Sequence, residues 1–159
     1  MWPKDRVAEH RGVGTGAAGA VDRDCLAVIT MPAATQYAPF ARLATAHLCG
    51  AVGLTVSRVA DLRLAVDEAC GQFMHGERAV ELEVPVELRF ERVGDLLWIT
   101  VRGPIAAAWP DRDGLGWLVL EALVGDVRCR AEGGIGELSF AEPLTADGLS
   151  GDVLWFATS

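Results

Sequence analysis

The chain has no closely spaced cysteines, no basic stripe and no long apolar run, and each lack removes a class of protein. Its four cysteines (Cys25, Cys49, Cys70, Cys129) lie far apart, with no Cys-x-x-Cys pair and no companion histidine at ligand spacing. That excludes the common zinc patterns and leads us to expect reduced thiols packed as small hydrophobes in a cytosolic protein. Fourteen Lys and Arg stand against 22 Asp and Glu, a formal net charge of -8, and the basic residues are scattered. Arg128 and Arg130 come close together, at a spacing that alternate strand positions explain. Phosphate binding along a nucleic acid needs a basic stripe, so no nucleic-acid partner is expected. No segment approaches the length of a membrane span, and the first residues lack the apolar core of a signal peptide. The chain therefore reads as cytoplasmic, with no membrane partner.

What is present is one core's worth of apolar residues. With 159 residues, 51% of them hydrophobic, a single domain is expected. Residues 1–23 form a polar, Gly/Ala-rich arm without periodicity, read as disordered. Its Gly12-Val-Gly-Thr-Gly16 run follows no strand and precedes no lysine, so it lacks the context of a phosphate loop. The domain proper is assigned to 24–143. Residues 144–159 form a tail in which Val153-Leu-Trp-Phe156 follows a Gly/Asp/Ser-rich linker. Such a cluster either docks back on the domain, the reading favoured here, or offers a patch to a partner.

Within the domain, Cys25 to Met31 reads as a first strand, and Pro39 opens a helix to about Val52 with Phe40, Leu43, Ala44 and Leu48 as its apolar face. Gly53 ends that helix, and Ser57 is the expected cap of the next. From Val80 to Phe90 the pattern has period two, apolar residues alternating with Glu81, Glu83, Pro85, Glu87 and Arg89. That is the mark of an antiparallel sheet covered on one side. Val93-Gly-Asp95 turns the chain into a strand from Leu96 to Val101, and Gly103 to Asp113 reads as a loop. Trp117 to Val124 suggests a helix, and Val127–Arg130 and Glu137–Ala141 read as closing strands around Gly133-Gly-Ile-Gly136. Helices and strands in this order predict an α+β, two-layer sandwich with helices on one face of the sheet.

The helix from Val59 to Met74 carries the chemistry. Leu62, Ala65, Val66, Ala69 and Phe73 form its apolar face, and Leu64, Glu68 and Gln72 run up the adjacent flank. Glu68 thus sits beside the apolar seam, where a carboxylate can accept a proton, and Gln72 lies one turn later. The plain alternative is the flank of an ordinary amphipathic helix, with Arg63 and Asp67 as an i,i+4 surface pair.

This segment resembles the first motif helix of the GHKL (histidine-kinase-like) ATPase fold, and specifically the anti-sigma-factor serine kinases of the RsbW-like, actinobacterial type. The resemblance covers roughly Cys25 to Glu142. It implies a mixed, mainly antiparallel sheet and assigns Glu68 the role of general base. The family's Glu-Ala-x-x-Asn box holds magnesium through its asparagine; Gln72 stands there, and its extra methylene displaces the amide oxygen from the geometry magnesium demands. His75 falls one position before the family's histidine. The family's Asp-x-Gly loop binds adenine, and here Arg102 or Gly103 replaces the aspartate. Gly114-Leu115-Gly116 resembles the Gly-Leu turn that holds phosphates at a helix N-terminus, although Arg112 occupies its first glycine. The late-strand threonine falls at or near Glu137. Phe40-Ala-Arg42 resembles the family's Phe-Ala-Arg, whose arginine contacts both the sigma factor and its antagonist.

The resemblance implies a homodimeric anti-sigma factor. It would sequester an alternative sigma factor, be released by an anti-anti-sigma (STAS-type) protein, and require no cofactor. The alternative is an active serine/threonine protein kinase of the same fold, with ATP or ADP and magnesium at the Gly114 turn and Glu68 as base. A third reading is a small-ligand sensor using the vacated pocket.

Overall fold

In the computed structural model, residues 22–74 and 84–144 are described. Strand β1 (Arg23–Met31) is followed by a single 3₁₀ turn (Thr35–Tyr37), then by helices α1 (Ala38–Ala51) and α2 (Val56–Gly71). Strands β2 (Val86–Val93) and β3 (Leu96–Pro104), helix α3 (Leu115–Val124) and strands β4 (Arg128–Glu132) and β5 (Ile135–Pro143) complete the domain. The strands form one sheet in the order β1-β2-β3-β5-β4. Every pairing is antiparallel, so among the described residues the sheet is antiparallel throughout rather than mixed.

Turn chemistry explains the register. Gly94, at the tip of the β2–β3 hairpin, has φ +60°, which only glycine adopts cheaply. Gly133 and Gly134 have φ +58° and +77°, the two positive values that a tight β4–β5 hairpin turn requires.

Alternation then sorts the sheet into two faces. Val86, Leu88, Phe90, Leu97, Ile99, Val101, Leu138 and Phe140 are fully buried on one face, and each large apolar side chain so removed from water stabilises the fold by roughly 1.5–3 kcal/mol. The helices cover that face with Leu62, Ala65, Val66, Ala69, Trp117 and Leu120, all buried. The period-two reading of β2 and the apolar face read for α2 agree with this burial.

Helix α1 departs from its expected face. Phe40 and Leu43 are 61% and 69% exposed, while Ala41, Thr45 and Cys49 are buried. The buried side chains are small, and the Thr45 hydroxyl donates to Ala41 O at 2.7 Å, so α1 lies close against its neighbours without a stranded polar group. The cap of α2 is Thr55, whose hydroxyl accepts from Arg58 N at 3.2 Å, and not Ser57. Asp67 pairs with Arg42 of α1 rather than with Arg63. Cys49 and Cys70 are buried as expected of small hydrophobes, Cys129 is half-buried, and Cys25 is exposed. The stretches at 80–83 and 12–16, His75 and the tail cluster 153–156 lie outside the described residues. No described helix is long and apolar enough to cross a membrane.

Candidate functional site

Two regions singled out in the sequence meet at the start of α3. Its N-cap is Gly114, which has no side chain to accept from the exposed N–H groups, and its first turn carries no acid of its own. The charge comes from elsewhere. Glu68, half-buried on α2, reaches across so that a methyl group on Gly116 would sit 2.5 Å from Glu68 Oε2. A side chain on Gly114 would likewise collide with the Asp111 carboxylate. Carboxylates at a helix N-terminus are stabilised by the aligned peptide dipoles, typically by about 0.3–1 kcal/mol each. A side chain at Gly114 or Gly116 would have to displace one of these two carboxylates. Leu115, between them, is 77% exposed.

Gly103 belongs to a second cluster. It lies opposite Gly136 in the β3–β5 register, and this glycine pair leaves a hollow on the covered face of the sheet. Phe73 fills it: a Cβ on Gly103 would lie 3.1 Å from Phe73 Cβ, and one on Gly136 would lie 3.1 Å from Phe73 Cε1. Ile105 Cγ2 and Trp109 Cη2 close the hollow at 2.5 and 3.1 Å from the same Gly136 position. The Phe73 and Trp109 rings are 5.4 Å apart and tilted by 40°, within the centroid range of interacting aromatic pairs. Trp109 Nε1 is buried with no hydrogen-bond partner among the described residues. Gln72 is the C-cap of α2, half-buried one residue before Phe73.

Arg42 and Phe40 lie apart from both clusters, on α1. Arg42 Nη1 donates to Asp67 Oδ1 at 2.7 Å, with the two side chains 37% and 30% exposed. Phe40 stacks on Tyr37 at 6.3 Å. Phe40 and Leu43 on α1, Leu64 on α2 and Leu118 on α3 are exposed, so each helix of the outer layer shows apolar surface to solvent.

A third cluster anchors the helices to the sheet. Arg58 Nε and Nη2 donate to the two Glu142 oxygens, both at 2.7 Å, and Nη1 reaches Asp61 at 3.3 Å. The bidentate bond to Glu142 is the main cause raising the Arg58 pKa above its ordinary value. Burial pushes the Cys49 thiol up to about 12, with the nearby Glu142 charge adding to the effect and Arg58 opposing it. Cys70 is pushed up to about 12, again by burial first and by Asp67 second.

The structure thus brings Glu68, Gly114, Leu115 and Gly116 together, and leaves Gly103, Gln72 and the Phe40–Arg42 pair elsewhere. Asp111, Trp109 and the partnership of Gly103 with Gly136 were not read from the sequence. Only strand register reveals that the two glycines face each other, and nothing local in 109–113 signals that Asp111 turns back on Gly114. The chain contains no asparagine, so no residue of that type takes the magnesium position of the Glu68 motif. Compared with protein-family models and with curated proteins, the chain matches none.

Proposed function

We propose that this chain is an anti-sigma factor of the GHKL type that works without nucleotide. It holds an alternative sigma factor through its helical layer and yields it to an anti-anti-sigma antagonist, acting in the cytoplasm as a homodimer. The observation that carries the proposal is what the chain itself places at both would-be nucleotide subsites, side chains in one and acidic charge beside the other. The hollow at Gly103, assigned by resemblance to adenine, holds Phe73 against Trp109 and Ile105. The α3 N-terminus, assigned to phosphate, faces the carboxylates of Glu68 and Asp111. An anion brought there meets two carboxylates beside the exposed N–H groups, and their like charge opposes the attraction a helix N-terminus ordinarily offers.

A Glu68 engaged with Gly116 is a structural residue in this reading and not a base. What remains usable is the α1 surface. One guanidinium nitrogen of Arg42 is held by Asp67. Its other N–H donors have no partner among the described residues and suit a carboxylate on a partner. Exposed Phe40 and Leu43 supply apolar anchors beside it. Capture of an alternative sigma factor tests the proposal: binding is expected to be equal with and without Mg-ATP and to be lost in Arg42→Glu. Capture that requires Mg-ATP, together with phosphate transfer to an antagonist, would establish the kinase reading instead.

A further inference from the structure

Helix α3 turns an apolar strip outward. Leu115, Leu118 and Ala122 recur at steps of three and four residues and so share one side of the helix. All three are exposed, Leu118 by 55%. The strip runs two turns, roughly 10 Å. Acids border it. Asp111 and Asp113 precede its first turn, Glu68 of α2 reaches in at Gly116 on one flank, and Glu121 stands on the other. None of these four carboxylates takes part in an ion pair among the described residues. By contrast, Asp61 and Asp67 of α2 pair with Arg58 and Arg42. Arg112, between two of the acids in the chain, lies over the buried Trp117 ring at 4.7 Å from its centroid. Trp117 projects about 200° around the helix from Leu115, so it points away from the strip.

We propose that this strip docks a basic amphipathic helix of a partner protein, its apolar side against Leu115 and Leu118 and its lysines or arginines beside Glu68, Asp113 and Glu121. Charge selects the occupant. Four unpaired carboxylates against one arginine make the border acidic. A second copy of the chain would set that border against itself, and an anionic lipid surface would be repelled in the same way. Shape selects a helix. Side chains three and four residues apart present ridges and grooves to another helix about 8–10 Å away. An extended segment would instead need a free sheet edge, which α3 does not offer. Burial of the leucines supplies affinity, and the carboxylates set orientation and speed the encounter. Helix α2 lies between this strip and the Arg42 surface of α1, so the inference stands apart from the proposed function.

The test is fluorescence anisotropy of the full chain with a dye-labelled model peptide of leucine and lysine, about five turns long, patterned to carry its leucines on one helical face. Expected is saturable binding that falls about tenfold or more in the Leu115→Lys, Leu118→Lys double variant. It should fall severalfold in Asp113→Asn, Glu121→Gln, and weaken as salt is raised. Val56→Lys, at an equally exposed apolar residue opening α2, should bind as the unaltered chain does. A peptide of the same composition in scrambled order should bind about tenfold more weakly or less. No binding at about millimolar peptide, equal binding of the scrambled peptide, or an affinity unmoved by the leucine substitutions would overturn the proposal. So would equal binding of the same helix with glutamate in place of lysine. Self-association of the chain that is lost in Leu115→Lys, Leu118→Lys would also overturn it, since the occupant would then be a second copy.

Discussion

Glu68 on α2 occupies the space of the side chain that Gly116 on α3 does not have. The Glu68 carboxylate lies beside α3 where its first N–H groups are exposed, and a methyl group at residue 116 would have to displace it. Because the obstructing atom is the far end of the flexible Glu68 side chain, Gly116→Ala is expected to displace it at a small cost, below about 1 kcal/mol, read as a slightly lower urea midpoint with an unchanged slope. Adding Glu68→Ala should recover part of that loss, because the obstructing carboxylate is gone. A double-mutant cycle with no coupling would show that the two residues do not touch in solution.

The Arg58–Glu142 pair predicts an asymmetry. The Glu142 side chain is only 9% exposed, whereas that of Arg58 is 28% exposed. Removing the arginine leaves a nearly buried carboxylate alone, so Arg58→Met should cost about 3 kcal/mol. Glu142→Gln leaves a cation that reaches water and Asp61, and should cost about half as much. Denaturant unfolding of the two variants checks the order, and equal costs would contradict it.

Alkali should loosen the fold through its buried thiols. Cys49 and Cys70 are raised from 9.0 to about 12 in the folded chain. Above pH 9.0 the unfolded chain releases these protons first, so their stabilisation is complete below that pH and is lost as pH rises towards about 12. A Cys49→Ala, Cys70→Ala variant, less stable at pH 7, should show a flatter decline between those limits. At pH 8 a thiol reagent should label exposed Cys25 rapidly and leave Cys49 and Cys70 untouched until unfolding.

The Arg42–Asp67 pair is partly exposed, so it should contribute little to stability, about 0–1 kcal/mol. Asp67→Ala is accordingly expected to leave the unfolding midpoint almost unchanged while weakening sigma-factor capture, because Arg42 loses the partner that orients it. A large loss of stability would make the pair a structural clamp instead.

Particular residues show what could be read without coordinates. Helix α2 was legible because Leu62, Ala65, Val66, Ala69 and Phe73 combine strong apolar character with helical period, and all five are buried. Helix α1 was legible in extent but not in its buried face, because its large apolar residues, Phe40 and Leu43, point outward and the small Ala41, Thr45 and Cys49 point inward. Hydropathy ranks size before fit, and close helix packing selects for smallness. The sheet's two faces followed directly from period two. At the candidate site, Glu68, Gly103 and the Gly114–Gly116 turn were each marked, but what fills them was not. Phe73 reads as an ordinary core residue until the register sets Gly103 against Gly136, and contacts across strands and between helices are properties of the fold, not of local spacing.

The most direct measurement is calorimetric titration of the full chain with ATP and ADP in the presence of magnesium. With Phe73 in the Gly103 hollow and Glu68 and Asp111 at the α3 N-terminus, no heat of binding is predicted up to millimolar nucleotide. Micromolar binding would contradict the account, because both clusters would then have to open to admit the ligand.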